Sequence, residues 1–324
     1  MQAFLKDPFS IGPLQFPNRL IQGPLAGFSC APFRQLYYQF IPPAYCVSEM
    51  ISAFDVLYKH QPDSRYLYRA PAEKRLCYQL AGNDPEIMAQ AAKKLEGLGA
   101  DLIDLNCGCP KTKIRKKGAG SALLENPSTL YAIVSAVRRA ITIPLTIKVR
   151  IHGDSRDGAL AKAIEEAGAD ALIVHGRRWT DDYDTPCNLQ HIAQIKQLVH
   201  IPVIANGDIA DKATLVNAIE ESQCDAYMIA RAGCGKPWLY QHLLSDNSSS
   251  QDVSHDSRTN CFMAHLQSLS RLENEHQAVL QSKSLVRYYF GKALSPEQLQ
   301  LFYTLNTLSE IEKYIRHCIS LNNE

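Results

Sequence analysis

Eight short apolar runs, each closed by a polar residue or glycine, recur from Arg19 onward with helix-patterned segments between them. This alternation narrows the fold more than any other feature of the chain. The runs are R-L-I-Q-G-P-L-A-G from Arg19, A-Y-C-V-S-E-M from Ala44, L-C-Y-Q-L-A-G from Leu76 and D-L-I-D-L-N-C-G from Asp101. They continue with P-L-T-I-K-V-R from Pro144, A-L-I-V-H-G-R from Ala171, P-V-I-A-N-G-D from Pro202 and A-Y-M-I-A-R-A from Ala226. Such runs, bounded by turn residues, read as strands buried on both faces. Between them, N-D-P-E at Asn83 and E-N-P-S at Glu125 offer an Asp or Asn cap and a proline suited to the first helical position. Apolar residues then return three and four apart, as Ile87, Ala91, Leu95 and Leu98, and as Leu130, Ile133, Val137 and Ile141. Strand–helix alternation with right-handed crossovers gives a doubly wound sheet or a closed barrel, and eight units favour an α/β fold of the (β/α)8 TIM-barrel type.

The flanks complete the organisation. F-S-I-G and L-Q-F-P near the N-terminus read as a hairpin. Past Leu244 the stretch S-D-N-S-S-S-Q-D-V-S-H-D-S-R is polar and aperiodic, so it reads as a linker or a mobile loop. From Thr259 the pattern is helical again, with Phe262, Leu266 and Leu269, then Leu285, Tyr288 and Tyr289, then Leu299 and Phe302, then Ile311, Ile315 and Ile319. The expected domains are a barrel over 1–244, a linker over 245–258 and a small all-α domain over 259–324. A chain that is 46% hydrophobic supports a sizeable core, and a net charge of +1 excludes capture of a polyanion by global charge. The N-terminal M-Q-A-F-L-K-D-P-F-S lacks a basic start before a long apolar region, and no run of about 18 apolar residues occurs, so a cytoplasmic protein without membrane attachment is expected. Ten cysteines scattered singly from Cys30 to Cys318 read as reduced thiols.

In such barrels the C-terminal ends of the strands form the active-site mouth. Pro24, Leu25, Ala26, Ser48, Glu49, Gln79, Asn106, Cys109, Lys148, Arg150, His175, Arg177, Asn206, Gly207, Asp208 and Arg231 should therefore converge. They include no carboxylate pair for glycoside hydrolysis and no His and acid cluster for a metal. Amides, cations and small residues instead suit a cofactor with a phosphate and an electron-rich ring. N-G-D after the seventh run and Arg231 after the eighth fit a phosphate site, the alternative being an ordinary turn. Lys148 either stabilises negative charge on a reduced isoalloxazine or forms a structural pair with a carboxylate such as Glu49. His175 either assists or is a satisfied core residue. Cys107 and Cys109 lack the partners of a zinc site, and a disulfide between them would be strained, leaving a thiol acid or base tuned by neighbouring cations as the better option. Those cations are Lys111, Lys113, Arg115, Lys116 and Lys117, five within seven positions.

The chain resembles the tRNA-dihydrouridine synthases of bacteria. The resemblance rests on P-L-A-G at Pro24, S-E-M at Ser48, Q-L-A-G at Gln79, L-N-C-G-C-P at Leu105 and K-x-x-x-x-G-A-G-S-A-L-L from Lys113. I-K-V-R at Ile147, V-H-G-R at Val174 and I-A-N-G-D at Ile204 complete the set. It runs from about Asn18 into the C-terminal helices and is nearer the B-type branch, while N-C-G-C-P also occurs in the C-type. It implies an FMN enzyme on a TIM barrel with a helical tRNA-binding domain, using NADPH (or NADH) to reduce a D-loop uridine. It implies Cys109 as proton donor to C5 and Asn106 at the uracil edge. Pro24, Leu25, Ala26, Gln79, Lys148, His175, Asn206, Gly207, Asp208, Ala230 and Arg231 fall at flavin-binding positions. Arg177 joins the substrate-binding set, and Lys111 to Lys117, Lys113 among them, would meet phosphates. S-K-S-L-V-R-Y-Y at Ser282 resembles a tRNA-contacting helix, so Lys283 and Arg287 are candidates beside the alternative of an ordinary helix surface. A monomer without an obligate protein partner is expected.

The chain departs from the pattern at three places. Ala230 stands where a glycine is usual, the loop W-T-D-D-Y-D-T-P-C lacks the usual glycine after Tyr183, and Leu25 replaces a methionine at similar volume. Two rival readings follow from the residues: a dihydroorotate dehydrogenase-like flavin barrel acting on a free pyrimidine, and a non-catalytic tRNA-binding protein.

Overall fold

Each of the eight apolar runs forms one strand of a closed, all-parallel barrel. The computed structural model describes residues 1–245 and 253–321. A short antiparallel hairpin comes first, β1 (Phe9–Ile11) with β2 (Leu14–Phe16), Phe9 opposite Phe16. The barrel strands are β3 (Leu20–Gln22), β4 (Cys46–Ser52), β5 (Leu76–Ala81), β6 (Leu102–Cys107), β7 (Leu145–Arg150), β8 (Ala171–His175), β9 (Val203–Asn206) and β10 (Ala226–Ile229). They pair in chain order, and β10 closes onto β3 with Met228 beside Ile21. The hairpin plugs the bottom. Phe9, Ile11 and Phe16 form one apolar cluster with the inward side chains Ile21, Val47, Cys77, Leu102, Ala171, Ile173, Ile204 and Met228, and Phe16 packs on Tyr45 at 5.2 Å between ring centroids.

Capping chemistry starts the helices as the sequence predicts. Asp84 accepts the Ile87 N–H at 2.9 Å ahead of the helix Pro85–Gly97, and Asn126 accepts from Thr129 ahead of Pro127–Ala140. Ala91, Leu95, Leu130, Ile133 and Val137 are buried against the barrel wall. The sheet is irregular once, between Val47 and Met50, where the register shifts. A bulge there re-aims the side chains of Ser48 and Glu49 at the barrel's upper rim.

Four helices follow the barrel, His255–Leu272, Glu275–Phe290, Pro296–Phe302 and Leu308–Leu321. The first starts four residues before the expected 259 because Ser254 caps it, accepting the Ser257 N–H at 3.2 Å. Half of the expected linker, residues 246–252, lies outside the described residues. Phe262 packs on Tyr289 and Phe290, with Ile311, Ile315 and Ile319 buried nearby. Tyr288 departs from the expected core pattern: it is 37% exposed and meets Phe28 of the barrel edge-on at 5.6 Å. Arg65 fastens the two parts together. It donates to Glu49 (2.8 Å) and the Gly27 carbonyl (2.9 Å) on the barrel, and to Glu273 (2.6 Å) and Gln281 (2.8 Å) on the helices. No helix among the described residues is long and apolar enough to cross a membrane.

Candidate active site

A cleft of about 340 Å³ opens at the C-terminal end of the barrel. Its wall holds Pro24, Leu25, Ala26, Gln79, Asn106, Cys109, Lys148, His175, Asn206, Ala230 and Arg231, all expected from the sequence. Strand register explains the floor. Gln79 sits beside Asp104, Asp104 beside Thr146, and Asn106 beside Lys148. A hydrogen-bonded chain results: Thr146 Oγ1 and Gln79 Nε2 each donate to the Asp104 carboxylate at 2.7 Å, and Asn106 Nδ2 donates to Gln79 Oε1 at 2.8 Å. Asn106 Oδ1 then accepts the backbone N–H groups of Cys109 (2.9 Å) and Gly108 (3.3 Å). The chain therefore runs from a buried acid to the loop that carries the thiol, and it fixes which way both amides face.

The two cysteines of that loop differ. Cys107 is buried and its thiol is pushed far up by burial, whereas Cys109 is half-buried and lines the cleft. Both are free thiols. The G-A-G-S segment that follows holds the loop in place. The Cys109 carbonyl accepts from Ser121 N (3.1 Å) and Oγ (3.0 Å), and a Cβ on Gly120, φ +62°, would lie 2.8 Å from that carbonyl oxygen. Arg115 is spent here as well, on Ser121, Glu125 and the ring of Trp179. Lys111, Lys113, Lys116 and Lys117 are exposed, and none has an ion-pair partner within 4 Å among the described residues.

Lys148 does not pair with Glu49, whose carboxylate is taken by Arg65 and the Gly27 N–H (2.6 Å). Glu49 stands within the irregular stretch of β4 between Val47 and Met50. Burial pushes Lys148 down to about 8, opposed by the Asp104 charge and reinforced by Arg150. Burial also pushes Asp104 up to about 6, opposed by its bonds from Gln79 and Thr146. Burial, with Lys148, Arg150, Arg177 and Arg231 around it, pushes His175 down to about 2, so the ring is neutral.

Other expected residues stand beside the cleft. Arg177 is buried, and its guanidinium is spent on Asp208 (2.6 and 2.8 Å), the Tyr183 carbonyl and the Thr185 carbonyl. It thus holds the loop after β8 rather than facing the cleft. That loop brings Tyr183 over Arg231, guanidinium carbon to ring centroid 4.0 Å. Gly207 has φ +133°, and a Cβ there would lie 2.5 Å from Cys187 Sγ. Ala230 has φ −110°, a backbone that requires no glycine. Lys283 and Arg287 lie on the helix Glu275–Phe290 away from the cleft wall, Arg287 donating to the Tyr303 hydroxyl at 3.0 Å. Their neighbour Tyr288 lines the wall instead, with Met50, Phe28 and Cys234. Sequence reading missed these four and Asp104. Asp104 left a signal, an acid two positions before Asn106 on the same strand face, and Met50 closes the S-E-M motif.

The mouth of this TIM barrel thus gathers a lysine without an ion-pair partner among the described residues, a directed amide chain and an accessible thiol. The family model described as dihydrouridine synthase matches residues 21–320. tRNA-dihydrouridine synthase B of Pseudomonas aeruginosa is 41% identical over 72% of this chain and 71% of its own. The protein of the same name from Vibrio vulnificus is 34% identical over 86% of this chain and 88% of its own. The chain belongs to the dihydrouridine synthase family and is an oxidoreductase. Among solved structures, histamine dehydrogenase from Rhizobium sp. 4-9 aligns over 82% of this chain with TM-score 0.56 and 15% identity, a likeness of fold. The chain spans about half the length of that structure, 51%.

Proposed function

We propose that the protein reduces the C5–C6 bond of a D-loop uridine in tRNA, using FMN and a reduced nicotinamide dinucleotide, NADPH or NADH. The observation that carries this reading is the placement of Cys109. It is the accessible cysteine of the loop, it lines the same cleft as Lys148, and its backbone is fixed by the Asp104–Gln79–Asn106 chain. The cleft fits a flavin on its donor set. The Lys148 ammonium, without an ion-pair partner within 4 Å among the described residues, and the Gln79 amide line the same cleft.

Gln79 and Lys148 would face the ring, and Pro24, Leu25 and Ala26 would cover it. Asn206, Gly207, Asp208, Ala230 and Arg231 would stand along ribityl and phosphate, with neutral His175 nearby. A reduced flavin held by these residues would supply the hydride for C6. Cys109 Sγ gives its proton to C5, which balances the addition. Asn106 keeps one N–H free beyond its bond to Gln79 and so can hold a uracil carbonyl. A base must leave its stack to reach this depth, and the four free lysines after Cys109 suit the flanking phosphates.

Incubation of the flavin-loaded protein with NADPH and an unmodified tRNA transcript tests the reading. Digestion and mass spectrometry should show one uridine gaining two hydrogens within the D-loop. Turnover of free dihydroorotate or uracil with untouched tRNA would overturn it.

A further inference from the structure

A second groove of about 240 Å³ lies on the same rim of the barrel, between the ends of β4 and β5 and the loop after β6. Met50 is common to its wall and to that of the active-site cleft, so one thioether separates the two. The groove is mostly apolar, built from Phe54, Met88 and Ile114, with the Asn83 amide and Lys117 at its edge.

The helix that gives Phe54 to its wall is unusual for a water-facing surface. Phe54 is 52% exposed and Tyr58 63% exposed, one turn apart on the helix Ala53–Tyr58 with ring centroids 4.7 Å apart. Ala53 and Val56 on the same helix are buried, so the helix is anchored by its other face and presents the two rings outward. The carboxylate at this rim, Asp84, is turned into its own helix as a cap. What remains is an aromatic platform, an amide and a cation, contiguous with the place where a nucleotide reacts.

We propose that this groove is a second base-binding subsite, in which Phe54 stacks a nucleobase of the RNA substrate adjacent to the reacting uridine, Lys117 meeting its phosphate. This rests on the reading of tRNA as substrate. The chemistry follows: every base has a π-face, aromatic stacking takes bases without regard to sequence, and a lysine beside the ring supplies the backbone contact. Swinging one uridine out of a folded loop unstacks its neighbour too, and a platform across Met50 would receive it.

The test compares wild type, Phe54→Ala and Phe54→Trp, each flavin-loaded, by fluorescence anisotropy with an unmodified tRNA transcript. The KM for NADPH with oxygen as acceptor is measured in parallel. Loss of one stacked base should weaken tRNA binding by roughly 10-fold or more in Phe54→Ala, with Phe54→Trp restoring it. Flavin content and the KM for NADPH should stay unchanged. Equal tRNA affinity in all three proteins overturns the subsite while leaving the tRNA reading intact. A raised KM for NADPH with unchanged tRNA affinity also overturns it, assigning the groove to the dinucleotide's base. Failure of the wild type itself to bind tRNA refutes the substrate reading instead, and the subsite with it.

Discussion

Asp104→Asn removes one charge from the cleft floor and leaves its shape. The bond directions survive the change: the new amide oxygen can accept from Gln79 Nε2 while its nitrogen donates to the Thr146 hydroxyl, which accepts as readily as it donates. The effect therefore falls on Lys148. Burial already holds that ammonium down to about 8, and Asp104 is the main group raising it. An opposite charge at close range moves a pKa by about 1–3 units, or about 1.4–4 kcal/mol, so its loss should shift the lysine's titration down by that amount. The sign is fixed by charge: a cation that loses its anion is lost at lower pH. The assay is stopped-flow reduction of the bound flavin by NADPH across pH 5.5 to 9, a range chosen as roughly bracketing the two titrations. Wild type should slow as pH rises through about 8. The variant should begin to slow about 1–3 pH units earlier, and the two curves should converge below about 6, where Asp104 in the wild type becomes neutral. Superimposable profiles, or an upward shift in the variant, would refute the reasoning.

Three further outcomes follow. Cys109→Ala should keep its flavin and its reduction by NADPH while losing about 10²–10⁴-fold in uridine reduction, whereas Cys107→Ala, at a buried thiol outside the cleft, should keep the reaction and lose stability in urea unfolding. Gly207→Ala must accept a Cβ 2.5 Å from Cys187 Sγ at φ +133°, which should cost about 2–6 kcal/mol from backbone strain and overpacking together. Adding Cys187→Ala should return about 1–3 kcal/mol of that by denaturant titration, the overpacking share alone. His265 is fully buried, and burial with the Arg65 charge pushes it down to about 3, so the unfolded chain binds its proton near its ordinary pKa while the fold does not. Stability should therefore fall as pH drops below about 6.5, by up to about 1.4 kcal/mol per pH unit from this group, and His265→Phe should remove that part of the slope of the urea midpoint.

The strands were legible because a buried parallel strand leaves a plain mark, a continuous apolar run stopped by glycine or proline, and because Asp84 and Asn126 announce their helices by side-chain caps. Position along a strand was legible too: most residues closing the runs line one cleft, while Ser48, Glu49, Arg177, Gly207 and Asp208 stand outside its wall. What neighbours what across strands was not. That Asp104 lies between Gln79 and Thr146 is a fact of register, and apolar runs of this kind do not reveal their mutual offset. The irregularity between Val47 and Met50 belongs to the same class of hidden fact, and within it stands Glu49, which pairs with Arg65 rather than Lys148. Tyr288 was hidden for a different reason. Helical periodicity gives a buried stripe, but Tyr288 sits at the stripe's edge, where only the docking of the whole helix against the barrel decides between core and cleft.

The polar layer of the barrel is itself an argument for chemistry at this site. One layer lower, Cys77, Leu102, Ala171 and Ile173 fill the interior with apolar side chains. Nothing in the closure of eight strands asks for anything else one layer up. Yet there Asp104 is fully buried as an acid and Lys148 has no ion-pair partner within 4 Å among the described residues, each driven toward its neutral form by burial. Replacing such groups by apolar ones of similar volume usually leaves a protein as stable or more so. A purely structural account of Lys148 would need a carboxylate in direct contact; Glu49 is occupied by Arg65, and Asp104, whose charge acts on the lysine, makes no ion pair with it within 4 Å among the described residues. A costly cation left unpaired at the floor of an open cleft, fixed beside a directed chain of amides, is what a site built to stabilise negative charge on a bound ring would retain.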